Sequence, residues 1–236
     1  MSATAASLKF PCATCQVRDK AICAALDSEE LRHLNAISTA VELSAGQVVF
    51  FEGDQDRFLF NVVTGAVRLS RMLPDGRRQI TGFLFPGDLL GLTIAGRYAY
   101  TAEAMIDSSF CRFDRGKLTE IAERFPNLEH QLFNLASNEL VQAQEHILVL
   151  GRKSATERVA TFLTRVAERI GERAGAGSVT ELPMTREDIA DYLGLTIETV
   201  SRIISKLRAS GAIAMPTARH IEVPDTEALL QLSGDL

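Results

Sequence analysis

One stretch of this 236-residue chain limits its possible folds more than any other. Between Pro126 and Gly151 the sequence contains no glycine or proline, so it predicts a single long helix. Apolar or small residues recur along it at steps of four and three, and they are Leu132, Ala136, Leu140, Ala143, Ile147 and Leu150. Leu and Ile interleaved with Ala let two helices pack closely, which predicts a homodimer interface. The alternative is that this stripe covers the chain's own core.

The residues before this helix predict β-structure. From about Val41 to Phe113, turn signals alternate with short runs rich in Val, Phe, Leu and Ile, and the runs are QVVFFEG, FLFNVVTG, AVRLSRM, QITGFLF, AYTAEAMI and SSFCRFD. Strands that recur about every 8 to 12 residues without intervening helices predict a small antiparallel barrel or roll. The same pattern argues against a Rossmann-type parallel sheet.

The residues after the long helix predict a small helical domain. Residues 155–170 have the pattern of an amphipathic helix, and residues 171–178 predict a flexible turn. Two short helices over residues 185–209 predict a helix-turn-helix, and residues 215–223 predict a hairpin or wing. The residues that delimit the two helices are the N-caps Thr185 and Thr196, the turn residue Gly194 and the last helical residue Ala209.

The second of these helices has the residues of a DNA-reading helix. Glu198, Ser201 and Arg202 lie three and four positions apart, so they share one face near its N-terminus. A carboxylate accepts from cytosine N4, and a guanidinium donates twice to guanine. Lys206 and Arg208 suit phosphates. The apolar side chains of this helix are expected to face inward, and they are Ile197, Val200, Ile203, Ile204 and Leu207. The alternative for Glu198 and Arg202 is a surface ion pair. The candidate DNA-binding residues are Thr196, Glu198, Thr199, Ser201, Arg202 and Lys206.

The charge distribution points to the same segment. The chain has a net charge of −5, which argues against a protein that binds polyanions over its whole surface. Residues 152–220, however, hold 11 Lys and Arg against 8 Asp and Glu, a net charge of +3, and the remainder holds 14 against 22, a net charge of −8. Nucleic acid is therefore expected at the helix-turn-helix.

Four cysteines form a second candidate site. Cys12, Cys15 and Cys23 lie within twelve residues, and Cys111 lies on a predicted strand far along the chain. Sets of four thiolates bind zinc or iron–sulfur clusters. A zinc ribbon normally shows two close pairs, which this chain lacks. The alternatives are a zinc site, a thiol–disulfide switch, and, for Cys111 alone, an ordinary buried thiol.

Together these motifs resemble the cyclic AMP receptor and fumarate–nitrate reduction regulator superfamily. The strings that carry the resemblance are ITGFLFPGDLLG (80–91), ATERVATFL (155–163) and MTREDIADYLGLTIETVSRIISKL (184–207). The resemblance covers nearly the whole chain and implies an α+β fold, with an N-terminal antiparallel β-roll, a long dimerisation helix and a C-terminal winged helix-turn-helix. The expected domains are a cysteine-bearing segment (1–30), a sensory β-roll (31–125), the dimerisation helix (126–151) and the DNA-binding domain (152–236).

The resemblance is strongest to the fumarate–nitrate branch. There Glu198, Ser201 and Arg202 match the family's base-contacting residues, which implies a TTGAT-type site repeated as an inverted pair in double-stranded DNA. The four cysteines resemble the ligands of an oxygen-sensing [4Fe–4S] cluster, although seven residues separate Cys15 from Cys23 where the best-known member has five. The branch implies a dimeric regulator of anaerobic or microaerobic genes that recruits RNA polymerase, for which the turn 74–77 is a candidate surface.

One position of the predicted dimer stripe departs from that branch. Its best-known member has an Asp where this chain has Ala143. Two like charges that face each other across a two-fold axis repel, so Ala143 predicts that cluster-free protein retains a substantial dimer population. The alternative is that Glu139, Gln142 or Glu145 supplies the missing repulsion.

Other functions have little support in the sequence. Cyclic nucleotide binding in the superfamily uses a Glu and an Arg followed by a small hydroxyl residue, whereas this chain has Asp88, and Arg97 followed by Tyr98. The histidines lack ligand spacing, which disfavours haem, and no catalytic motif points to an enzyme. The sequence contains no apolar run of membrane-spanning length and no signal peptide, so a cytoplasmic protein that does not contact membranes is expected.

Overall fold

The computed structural model describes residues 12, 15–93, 96–171, 180–217, 219–224 and 226–234. The chain divides into two compact units, one of Met1–Arg71 with Thr81–Val141 and the other of Met72–Ile80 with Gln142–Leu236. Within the described ranges, every helix is too short or too polar to cross a membrane.

Two four-stranded sheets form the predicted β-roll in the described part of the chain. Their strand orders are β1-β8-β3-β6 and β2-β7-β4-β5, and β8 pairs antiparallel with both β1 and β3. The strands are β1 (Ser38–Leu43), β2 (Val48–Phe50), β3 (Phe58–Thr64), β4 (Val67–Met72), β5 (Arg78–Leu84), β6 (Leu89–Leu90), β7 (Thr101–Ala104) and β8 (Ser108–Asp114). The roll is antiparallel, and the predicted fold class is confirmed.

In chain order, helix α1 precedes the strands of the roll, and helices α2 and α3 follow them. Helix α1 (Ser28–Ile37) begins at Asp27, whose side chain accepts from two backbone N–H groups, and Glu30 completes a capping box. Helix α2 (Arg115–Arg124) directly follows β8. Helix α3 (Pro126–Arg152) is the predicted long helix, with proline at its first position, where the missing N–H costs nothing.

Among the described residues of the first unit, two hydrophobic clusters stabilise different parts of the fold. One lies among the strands and is dominated by aromatic side chains, including Phe50, Phe60, Tyr98 and Phe110. The other joins the cysteine-bearing segment to α1, β3, β8, α2 and α3. Its members include the buried residues Val17, Ile22, Leu34, Leu59 and Leu128. The second cluster therefore fixes the cysteine segment against the sheet and the start of α3.

The second unit contains the predicted winged helix-turn-helix. Gly194 ends α5 with a left-handed backbone (φ 63°), which glycine adopts without strain, and Thr196 caps α6. Strands β10, β11 and β9 form a small antiparallel sheet in that order. The elements are α4 (Ala155–Gly171), β9 (Thr180–Glu181), α5 (Arg186–Leu193), α6 (Ile197–Ala209), β10 (Ala214–Thr217), β11 (His220–Glu222) and α7 (Thr226–Ser233).

An ionic cluster holds the start of β5 against α5 within the second unit. Arg78 donates to Asp188 Oδ1 at 3.0 Å and to Asp191 Oδ2 at 2.7 Å. Asp188 is buried, and its other carboxylate oxygen accepts from the backbone N–H and the hydroxyl of Thr185. Its carboxylate thus caps α5 and binds Arg78 at the same time.

The structure also contains elements that the sequence pattern did not predict. These are the short strands β1, β6 and β9 and the helices α1, α2 and α7. The capping-box pair Asp27 and Glu30 was an available signal for α1. The flexible turn predicted over residues 171–178 lies, after Gly171, outside the described residues.

Candidate cysteine pocket and DNA interface

The four cysteines line one pocket of the first unit. Cys23 lies in the successive turns between residues 16 and 25, Cys15 directly precedes these turns, and Cys12 lies three positions before Cys15. Cys111 lies on β8, opposite Ala40 of β1 and Asn61 of β3. The predicted juxtaposition of three clustered cysteines with one remote cysteine is therefore present. All four are free thiols.

The environment of the pocket favours protonated thiols. Burial, reinforced by the neighbouring cysteines, raises the pKa of Cys23 to about 11 and that of Cys111 to about 12. Burial and the nearby Cys15 also raise the pKa of Cys12. Thiolates in this pocket therefore need a cationic partner, and binding one releases protons.

Polar side chains hold the cysteine segment in place. Asn61, which is 2% exposed, accepts from the Ile22 N–H at 3.3 Å and donates to the Val62 carbonyl at 3.1 Å. On α3, Gln131 Nε2 donates to the Ala21 carbonyl at 3.3 Å. These contacts join residues next to Cys23 to both the sheet and the long helix.

A second link joins α1 to the start of α3. Glu30 is 5% exposed, and its two carboxylate oxygens lie 3.1 and 3.2 Å from Asn127 Nδ2. Glu30 Oε2 also accepts from the Asp27 N–H. Sequence patterns gave no signal for Asn61, Gln131 or Asn127, because a single polar residue on an amphipathic element is usually solvent-exposed.

The pocket that the four thiols line is mainly apolar. Its other lining residues include Val17, Leu34, Val63 and Phe113. Within the part of the chain that the structure describes, no group of three or more His, Cys, Asp and Glu side chains is already arranged to hold a metal ion. A four-sulfur donor set around such a pocket fits a polynuclear iron–sulfur cluster in its chemistry.

Asp88, Arg97 and Tyr98, the positions compared with a cyclic-nucleotide pocket, make contacts within the first unit. The rings of Phe50 and Tyr98 stack with centroids 3.6 Å apart, within the aromatic cluster. Asp88 accepts from the Phe85 N–H at 2.8 Å and so stabilises a turn. Arg97 is exposed and donates to the Gly53 carbonyl at 2.6 Å. Asp88, Arg97 and Tyr98 thus each have a partner within the first unit, and the absence of cyclic nucleotide binding stays a prediction.

Helix α6 presents the predicted base-reading residues to solvent. Glu198, Ser201 and Arg202 are exposed. The pKa of the Glu198 carboxyl lies below its usual value because its own backbone N–H and the Thr196 hydroxyl donate to it, and because Arg202 is nearby. Arg202 forms no ion pair with any residue that the structure describes. The exposed face is thus free to contact base edges.

The other side chains of α6 are buried or exposed as predicted, except at one position. Val200, Ile203, Ile204 and Leu207 are buried. Ile197 was also expected to face inward, but it is 43% exposed, because the first residue of α6 precedes the part of the helix that packs on the domain core. Thr196, Lys206 and Arg208 are exposed, and Thr199 is half-buried with its N–H bonded to the Thr196 hydroxyl.

The predicted dimer stripe is exposed over its middle part. Leu140 is 59% and Ile147 69% exposed, and Ala136 and Ala143 are also exposed. At the two ends the stripe is half-buried: Leu132 packs on the core beneath the cysteine segment, and Leu150 lies near the end of α3. An exposed row of large apolar side chains on one helix is typical of a protein interface.

Comparison with known proteins gives two matching families. Residues 40–125 match the family described as cyclic nucleotide-binding domain, and residues 157–232 match the Crp-like helix-turn-helix domain. Among curated proteins, the nitrogen fixation regulation protein FixK of Bradyrhizobium diazoefficiens is 45% identical over 86% of each chain. The transcriptional activator protein FnrL of Cereibacter sphaeroides is 41% identical over 95% of this chain and 92% of its own.

Two further similarities agree with these matches. The fumarate and nitrate reduction regulatory protein of Escherichia coli is 33% identical over 94% of this chain and 90% of its own. Among solved structures, FixK2 from Bradyrhizobium japonicum superposes with a TM-score of 0.79 at 40% identity, covering 83% of this chain and 97% of its own.

Proposed function

Because this chain belongs to the Crp/Fnr family of transcription regulators, we propose that it senses oxygen through a [4Fe–4S] cluster and thereby controls transcription of anaerobic or microaerobic genes. Members of this family are regulators rather than enzymes; they bind DNA through the helix-turn-helix and are typically dimeric. The proposed ligands are Cys12, Cys15, Cys23 and Cys111.

The observation that carries the proposal is that all four thiols line one pocket. Four cysteines, three in one short segment and one on β8, match the four-thiolate donor set that holds a [4Fe–4S] cluster. The same donor set can hold zinc, so zinc remains the alternative that the metal analysis below decides. When bound, such a cluster supplies a redox centre that reacts with oxygen.

The contacts around the pocket provide a route from the cysteines to the dimer helix. Ala21 and Ile22, next to Cys23, pack in the hydrophobic cluster that contains Leu128 of α3, and Gln131 binds the Ala21 carbonyl. A cluster that fixes the cysteines would therefore stabilise the packing of the cysteine-bearing segment against α3. We expect this packing to favour the dimer through the exposed stripe of that helix.

A dimer would present two copies of α6 to successive major grooves. These grooves lie about 34 Å apart along DNA, which fits an inverted repeat of TTGAT-type half-sites. Glu198 and Arg202 would read bases, with Ser201, Thr196 and Thr199 beside them and Lys206 on phosphate. The exposed turn 74–77 is the proposed contact with RNA polymerase. Relatives named as an activator and as regulators of nitrogen fixation and of fumarate and nitrate reduction suggest the gene classes.

Anaerobic purification of the full chain tests the cluster. Iron, acid-labile sulfide, zinc and the visible absorption spectrum are measured for the wild type and for the four single Cys→Ser variants, with circular dichroism as a control for folding. We expect iron and sulfide in equal amounts in the wild type and a large loss in each folded variant. The chain has only these four cysteines, so no other thiol can replace a missing ligand.

Three results would overturn the proposal. Wild-type iron and sulfide in all four variants would remove these cysteines as ligands. Stoichiometric zinc without iron would establish the zinc alternative. A metal-free protein whose DNA binding follows reversible thiol oxidation, or a small ligand, would place it among regulators of the same fold without a cluster.

A further inference from the structure

Asn35 lies beside one of the four thiols. It is on α1, it lines the cysteine pocket, and its Oδ1 is 3.4 Å from Cys12 Sγ, which donates to it. The hydroxyl of Ser38 lies 3.4 Å from the same oxygen and also donates to the Asn35 carbonyl at 2.9 Å. These contacts hold the amide at the edge of the pocket.

The other amide of the pocket has a different role. Asn61 uses its oxygen for the Ile22 N–H and its nitrogen for the Val62 carbonyl, so both of its ends stabilise the fold. The side-chain oxygen of Asn35, in contrast, contacts a candidate ligand and a hydroxyl. A hydroxyl both donates and accepts, so Ser38 tolerates either orientation of the Asn35 amide.

The 3.4 Å contact between Asn35 Oδ1 and Cys12 Sγ would have to change its donor when Cys12 binds a metal. A thiol donates a hydrogen bond to the amide oxygen, whereas a metal-bound thiolate has no proton and can only accept one. The two ends of a carboxamide have nearly the same shape, and rotation by 180° places Nδ2 where Oδ1 was. The rotated amide would then present Nδ2 to the Cys12 sulfur from the position that Oδ1 occupies.

We infer that Asn35 donates a hydrogen bond to the Cys12 sulfur when this cysteine is a cluster ligand, and that it thereby sets the reduction potential and the oxygen lability of the site. This inference rests on the proposed function. Hydrogen bonds to ligand sulfurs withdraw electron density and are an established means by which proteins tune iron–sulfur potentials. Asn35 is a positioning residue here, because it acts through Cys12.

The test compares two substitutions with a matched control in the anaerobically purified full chain. Asn35→Asp has nearly the same shape but can only accept, and its charge lies beside a thiolate. Asn35→Leu removes the amide without adding charge. Asn134→Asp, at an exposed position of α3, controls for the charge itself. The readouts are iron and sulfide content, the midpoint potential, the rate of bleaching after mixing with air, and circular dichroism.

We expect Asn35→Asp to retain the metal about 10- to 100-fold less well, as is usual when an outer-sphere partner is lost. Asn35→Leu should load iron, with a lower midpoint potential and faster bleaching than the wild type. Asn134→Asp should match the wild type. Wild-type potential and bleaching rate in both fully loaded Asn35 variants would overturn the inference and leave the proposed function intact. A wild-type protein without iron and sulfide would overturn both.

Discussion

Replacing Gln131 by Leu removes the hydrogen bond that joins the cysteine segment to α3 and should weaken communication between the cysteines and the dimer helix. The bond is a neutral one of 3.3 Å from Nε2 to the Ala21 carbonyl. That carbonyl also accepts from the Ala24 N–H at 2.9 Å, so the substitution leaves no unsatisfied buried oxygen. The expected loss is therefore the net value of one hydrogen bond, about 0.5–1.5 kcal/mol.

This energy corresponds to roughly a 2- to 12-fold change in an equilibrium constant. The assay is the ratio of the DNA dissociation constants of cluster-free and cluster-loaded protein, measured anaerobically at one salt concentration. In Gln131→Leu we expect that ratio to be roughly 2- to 12-fold smaller than in the wild type. The iron content of the variant should equal that of the wild type. Gln144→Leu, at an exposed position of the same helix, should leave the ratio unchanged. Equal ratios in the two variants would refute the proposed route from the cysteines to α3.

Three further predictions address the DNA face, the dimer and the fold. Arg202→Ala should reduce the DNA-binding free energy by about 1–3 kcal/mol per half-site and relax the preference for guanine at one position. Lys206→Ala should lower the affinity for all sequences evenly and reduce the salt dependence of binding. Identical base preferences of the two variants in fluorescence anisotropy would contradict these roles. Ala143→Asp should convert a dimeric cluster-free protein into a monomer in sedimentation at micromolar concentration, and a monomeric wild type would contradict the reasoning. Arg78→Ala should lower the free energy of unfolding by about 1–3 kcal/mol, because it removes a charged donor from a buried carboxylate. Arg77→Ala, at an exposed ion pair, should change it by less than about 1 kcal/mol in urea titrations. Equal losses in the two variants would contradict the larger contribution expected of the buried pair.

The sequence predicted the elements whose side chains repeat in a regular pattern. The strands, the long helix and the helix-turn-helix follow from periodicity and from local caps, and the structure agrees at Thr185, Gly194 and Thr196. These features depend on neighbours a few positions apart. A single chain therefore contains enough information to predict them.

Features that depend on distant partners could not be predicted in this way. Helix α2 and strand β6 are short, and their stability comes from packing against the roll rather than from their own pattern. The sequence grouped the four cysteines by residue type, yet it gave no sign of Asn35, Asn61 or Gln131 around them. Ile197 was misplaced because a helical wheel does not show where the domain core ends.

The stacked Phe50 and Tyr98, together with Phe60 and Phe110, have a consequence for how this protein is made in the cell. A domain that folds around a bound effector is stabilised by that effector only when its concentration exceeds the dissociation constant. Here aromatic rings fill the interior of the roll themselves, so newly synthesised chains should fold this domain without an effector inside it. If the protein senses oxygen as proposed, we therefore expect aerobic cells to accumulate a reserve with a folded roll, so that the proposed response to a fall in oxygen needs no new translation.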